Sequence, residues 1–107
     1  MAERKFKFEL NDLCVMAILA IHDSYGYEIN QQLLEVLDVS ESTLYPILRK
    51  LEKQGIVRSY SREHGGRLRR YCTLTPDGRR VFAEAAGQWR TLRDWIDAKL
   101  GEGLGHE

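Results

Sequence analysis

Cysteine is scarce in this chain, with two residues in 107, and Cys14 and Cys72 have neither the number nor the spacing of a disulfide framework or a zinc site. A reducing interior is the expectation. Long hydrophobic runs are missing too: the longest, Leu13 to Ile21, is too short to span a bilayer and no signal-peptide cleavage pattern accompanies it. A soluble, cytoplasmic protein is therefore expected. There is no glycine-rich phosphate loop, no pair of catalytic carboxylates and no nucleophile with a base at a recognisable spacing, which points away from an enzyme. His22, His64 and His106 are scattered without a second ligand at metal spacing, so neither a metal nor a cofactor is expected. Nothing repeats, no low-complexity tract occurs, and the length suits one domain.

Net charge is also absent, since sixteen Lys and Arg cancel sixteen Asp and Glu. As a bulk figure this argues against a nucleic-acid binder. The charges are segregated, however: residues 1–39 hold three basic against seven acidic side chains, residues 40–74 eight against three, and residues 75–107 five against six. The whole positive excess lies in the middle third.

That middle third has the order of a winged helix-turn-helix. Asn11 or Asp12 can cap a first helix running through His22 that is apolar almost all round, so part of it should meet a partner chain. Ser24-Tyr25-Gly26 reads as a turn, and Tyr27 to Leu37 as a second helix with Ile29 and Leu33 at helical spacing. Ser40 or Ser42 caps a third helix that Gly55 stops. With Ser42 as cap Pro46 falls in the first turn, and with Ser40 it bends the helix start. Val57 to Arg62 and Arg69 to Leu74 read as two strands around a six-residue tip, Glu63 to Leu68. Thr75-Pro76-Asp77 then starts a last helix of about 25 residues, roughly 37 Å long, to Leu100. The fold expected is mainly α with a β-hairpin wing: a winged helix-turn-helix over 8–74, a dimerisation helix over 75–100 and a flexible tail over 101–107.

In the third helix Leu44, Ile47, Leu48 and Leu51 form the inward stripe. At about 100° per residue the opposite line is Ser42, Pro46, Arg49 and Lys53, flanked by Tyr45 and Lys50. Long cations there can reach guanine edges or phosphate, while the Ser42 and Tyr45 hydroxyls hold phosphate and fix register, with Thr43 beside them as a further DNA-binding candidate. His64, Arg67, Arg69 and Arg70 sit at or beside the glycine tip, where a guanidinium can enter a minor groove or grip the backbone. Phe82, Ala85, Trp89, Leu92 and Ile96 repeat at steps of three, four, three and four, with Lys99 or Leu100 next, a seam suited to a second copy of the chain. Trp95 stands about 240° around the helix from Trp89 and can only flank that seam.

Three segments together resemble one family. Gly26-Tyr27-Glu28-Ile29, then Ser42 to Val57 with its Thr-Leu-Tyr-Pro start, then Arg70-Tyr71-Cys72-Thr73-Leu74-Thr75-Pro76-Asp77-Gly78, are similar to the PadR family of bacterial transcriptional regulators across roughly residues 10 to 80. The resemblance implies a homodimeric repressor of double-stranded, pseudo-palindromic operator DNA, of the branch that dimerises through one long final helix. It also implies release by a small planar aromatic ligand, with Trp89, Trp95, Leu13 and Ala17 as the positions to inspect for effector binding. One departure is visible, because Cys72 stands where relatives commonly carry a second tyrosine; neighbouring Arg69 and Arg70 could lower the pKa of that thiol. Two readings from other classes stay open: a winged-helix module whose basic face meets an acidic protein, and a dimer that sequesters drugs.

Overall fold

The computed structural model describes residues 5–105. Its elements are α1 (Leu10–Ile21), β1 (Ser24–Tyr25), α2 (Gly26–Leu33), α3 (Glu41–Lys53), β2 (Val57–His64), β3 (Arg67–Leu74) and α4 (Pro76–Leu104). The three strands form an antiparallel sheet in the order β1-β3-β2. It is a mainly helical winged helix-turn-helix with a long final helix.

α1 runs through the middle of the fold. Val15, Met16 and Leu19 are essentially inaccessible, and Leu13 and Ile18 join them in one core with Ile29 and Leu33 of α2, Leu44, Leu48 and Leu51 of α3, and Val57, Cys72 and Leu74 of the sheet. Burying each large apolar side chain contributes roughly 1.5–3 kcal/mol, which for a chain this short fixes how the helices must converge. One face of α1 stays open. Leu10 is 49% and Ile21 76% exposed, with Cys14 and Ala17 half-buried between them.

The helix ends follow local chemistry. Gly55, at φ 78°, closes α3: its N–H bonds to the Glu52 carbonyl and the Ile56 N–H to that of Leu51, so two orphan carbonyls of the last turn are satisfied. Thr75 caps α4 by accepting from the Gly78 N–H at 2.9 Å, with Pro76 at the first helical position. Ser40, not Ser42, precedes α3, so Pro46 lies inside the helix.

Several boundaries differ from those expected. α1 begins at Leu10 after Glu9, and Asp12 is a buried side chain in its first turn, not a cap. α2 ends at Leu33 as a regular helix. Ser24 and Tyr25 are a strand paired with Cys72 and Tyr71, not a turn. The hairpin continues to His64 and resumes at Arg67, so its tip is Gly65-Gly66 and not six residues. Both glycines have positive φ, 62° and 79°, the geometry of a two-residue turn that follows the strand twist. α4 continues through Gly101 and Gly103 to Leu104, where a flexible tail was expected; the last two residues of that tail lie outside the described ones.

Candidate nucleic-acid interface

The outward line of α3 is assembled as its periodicity requires. With Leu44, Leu48 and Leu51 buried, Ser42, Pro46, Arg49 and Lys53 are exposed, and neither Arg49 nor Lys53 makes an ion pair among the described residues. At the helix start the Ser40 hydroxyl lies 2.8 Å from that of Ser42 and 3.4 Å from that of Thr43, which gathers three hydroxyls at the positive end of the helix dipole. Tyr45 is 44% exposed and leans over the first residue of α2: a Cβ added to Gly26 would come within 2.8 Å of its Oη. The tyrosine ring thus takes the space that the missing side chain leaves.

The two flanks of this line are tied down. Lys50 Nζ lies 2.7 Å from the Asp12 carboxylate of α1, so Lys50 does not stand with the free cations. On the other flank Glu52 accepts from Arg70 of β3 at 3.3 Å. Arg70 keeps 71% of its side chain exposed, and Arg67 and His64 are exposed on either side of the glycine turn.

Arg69 is held differently. Its guanidinium lies over the Tyr25 ring at 4.6 Å, and Nε is enclosed without a hydrogen-bond partner. Directly across the ladder Arg62 lies over the Tyr71 ring at 4.7 Å. Two like charges opposite each other in a sheet repel, and placing each on a ring face offsets that repulsion. Beneath them Tyr25, Tyr71 and Tyr60 follow one another at centroid distances of 5.3 and 5.9 Å, and His64 lies 5.7 Å from Tyr25. This aromatic base was missed in the sequence. The alternation Tyr60, Arg62 on one strand and Arg69, Tyr71 on the other carried the signal, but only the register shows that the pairs face each other. Between α3 and the wing lies a cleft of about 470 Å³ bordered by Tyr25, Tyr27, Tyr45, Arg49, Arg69 and Arg70.

At the wing root the Tyr60 hydroxyl donates to the Asp23 carboxylate at 2.6 Å. Partial burial pushes the Asp23 pKa up, but hydrogen bonds from Tyr60 and Thr73 and the charges of Arg79 and Arg62 outweigh it, and the net shift is downward from 3.8. A carboxyl held below its unfolded value stabilises the fold above that value and ceases to do so as pH falls through the folded pKa. Tyr60→Phe should therefore lower the melting midpoint at neutral pH, with the gap to the parent closing as pH falls below about 3.8. A gap that stays constant through that range would show that the lost stability does not come from the bond to the ionised Asp23 carboxylate.

Cys72 is 5% exposed, and burial raises its thiol pKa in spite of a Ser59 hydrogen bond and the Arg70 charge. The half-buried thiol with a lowered pKa that its arginine neighbours suggested is not what the structure shows.

The expected seam of α4 divides. Ala85 is fully buried in the core of the single chain, where its small side chain lets α4 approach α1. Phe82 and Trp89 are half-buried against that core, and Phe6 of the N-terminal segment meets Trp89 edge-on at 6.4 Å. Further along, Leu92 and Ile96 are half-buried and Leu100 is 52% exposed. Of the four expected effector positions, Leu13 lies in the core, Ala17 is half-buried, Trp89 meets Phe6, and Trp95 is 60% exposed beneath Lys99. No helix among the described residues is long and apolar enough to cross a membrane.

A family model described as the transcriptional regulator PadR-like family matches residues 15–84. The chain is 34% identical over 82 residues to Transcriptional regulator Rv3488 of Mycobacterium tuberculosis, covering 76% of this chain and 77% of that one. Its fold superposes on smu.1704 of Streptococcus mutans with a TM-score of 0.81 at 38% identity, over 90% of this chain and 91% of that one. Bacillus subtilis PadR, solved in complex with operator DNA, shares the fold at a TM-score of 0.64 and 19% identity, over 73% of this chain and 47% of its own.

Proposed function

The chain belongs to the PadR-like family of transcriptional regulators, and from that premise we propose that it is a sequence-specific repressor that works as a homodimer. Regulators of this kind are not enzymes. Each subunit lays α3 in a major groove, with Arg49 and Lys53 toward base edges and phosphate and the hydroxyls of Ser42, Thr43 and Tyr45 on the backbone. The Gly65-Gly66 tip carries His64 and Arg67 to the neighbouring backbone or minor groove, with Arg69 and Arg70 behind them. The observation that carries this reading is the exposed line of Arg49 and Lys53, without an ion pair among the described residues, on a helix whose inward face is buried and whose flanks are tied, with a cationic hairpin beside it.

Dimerisation is supported by the open stripe of α1 and the open end of α4, where Trp95, Leu100 and Leu104 are exposed apolar side chains. Two half-sites about 34 Å apart, or a multiple of it, follow from helix-turn-helix geometry. Release by a small planar aromatic ligand at the dimer interface is the regulatory part of the proposal, and the fluorescence of Trp89 and Trp95 would report it. The compartment proposed is the cytoplasm.

Binding to a duplex of the gene's own upstream region, followed by fluorescence anisotropy against a scrambled duplex, tests the reading. A preference of about a thousandfold or more is expected, with the affinity for both duplexes falling steeply as salt rises. Equal affinity for the two duplexes would favour a protein-interaction module instead.

A further inference from the structure

Lys50 follows Arg49 directly, yet its ammonium is turned away from the outward line of α3. Nζ lies 2.7 Å from Asp12, whose side chain is only 12% exposed. A carboxylate so enclosed requires a partner, because an unpaired buried charge is costly. A lysine left to solvent would have been free to reach the same groove as Arg49.

The position of Asp12 gives the pair a further meaning. On α1 the residues Leu10, Cys14, Ala17 and Ile21 fall within about 60° of one another, and Asp12 stands roughly on the opposite side. One side of α1 therefore carries its open apolar stripe, and the other grips the recognition helix. Beside the packed contact of α1 and α3 lies an open hollow of about 260 Å³, bordered by Phe8 and Glu9 of the N-terminal segment, Met16, Gln54 and both members of the pair. On the opposite flank of α3 the link to the wing, Glu52 to Arg70, is longer and more exposed, at 3.3 Å with 36% and 71% of the side chains accessible. Of the two tethers, the one to α1 is the closer and the better shielded from water.

We propose that Lys50 is a positioning residue and not a DNA contact: with Asp12 it sets the angle of α3 to α1, so that Arg49 and Lys53 meet the groove in register. The inference rests on the DNA-reading function proposed above and names how that face is held. Since α1 also presents the open apolar stripe, whatever seats on that stripe shares a rigid element with the carboxylate that orients the reading helix.

The experiment compares the full-length parent, Asp12→Asn, Lys50→Met and the double variant on the upstream and scrambled duplexes across a salt series, with melting curves for each. The expected result is that both single variants lose about tenfold or more in affinity for the upstream duplex, and the double variant loses no more than either. Binding to the scrambled duplex and the salt slope of Lys50→Met stay at parental values. The opposite pattern overturns the proposal: Lys50→Met weakens both duplexes alike with a slope lower by about one for each site, while Asp12→Asn binds as well as the parent or better. Should either single variant fail to fold, the slope and duplex preference of the double variant decide alone, since it leaves neither charge of the pair without its partner. A parent that does not prefer its own upstream duplex is a separate result, and it overturns the DNA reading together with this inference.

Discussion

Arg49→Ala combined with Lys53→Ala should lower affinity for the operator by about a hundredfold or more while leaving the melting midpoint within a degree or two of the parent. The two side chains stand one helical turn apart on the exposed face of α3, and neither is held by an acidic partner among the described residues. Their truncation removes no buried surface and breaks no ion pair, so the fold should not register it. A bidentate contact to a guanine edge is worth about 1–3 kcal/mol of discrimination, and a symmetric dimer would forfeit it twice. Phosphate binding leaves a different mark, a salt slope lower by about 0.9 for each phosphate no longer neutralised. Arg49→Lys separates the two roles: a guanidinium fork matched to a base edge is not replaced by an ammonium, whereas a charge placed against phosphate largely is. Anisotropy titrations of the single and double variants on the upstream duplex check this. A double variant that binds within twofold of the parent across the salt series would remove α3 as the reading helix.

What could be read from the sequence, and what could not, divides by the range of the interactions. The faces of α3 were legible because a period of 3.6 residues and a few leucines are local information, and Gly55 and Thr75 marked helix ends by chemistry that reaches only three or four residues. β1 was not legible. Ser24 and Tyr25 are extended because Cys72 and Tyr71 supply their hydrogen-bond partners, far along the chain, and a Ser-Tyr-Gly segment alone looks like a turn. The wing tip was drawn too long for a related reason. Glu63, His64, Arg67 and Leu68 have little intrinsic strand character, and pairing extends through them only because two glycines with positive φ close the turn between.

The seam of α4 shows the same limit. Apolar spacing says which face of a helix is covered but not by what, and Ala85 is covered by the core of its own chain. The glycines after Leu100 suggested a tail, but extending a formed helix by a turn costs far less than nucleating one. Lys50 is the functional case. Its angle on α3 placed it at the edge of the reading line, and only the tertiary fold brings Asp12 against it.

Gly78→Ala should lower the melting midpoint by roughly 10 °C or more, a far larger drop than a single methyl group ordinarily causes. Gly78 is buried in the first turn of α4, where a Cβ would overlap the backbone carbonyl oxygen of Ile56. That oxygen already accepts from the Thr75 N–H at 3.0 Å and lies 3.3 Å from the Thr75 hydroxyl, which also donates to the Gly55 carbonyl at 2.6 Å. No flexible side chain is available to give way, so the start of α4 must lift off the junction between α3 and β2 and stretch those bonds. Overpacking of this kind costs about 1–3 kcal/mol and a weakened backbone hydrogen bond about 1 kcal/mol more, against a gain of about 1 kcal/mol in helix propensity. The same helix contains its own control. A Cβ at Gly87 would meet nothing within 4 Å, so Gly87→Ala should raise the midpoint slightly through propensity alone. Scanning calorimetry of the two variants should give shifts of opposite sign; equal shifts would show that the close approach at Ile56 is not what holds the helix start. The requirement bears on function as well as stability. α4 leaves the wing at this point, and in a dimer joined through its open end the angle fixed by Gly78 against Ile56 would set the distance between two reading helices. Gly78→Ala protein that remains folded should therefore lose its preference for the parental half-site spacing before it loses non-specific binding.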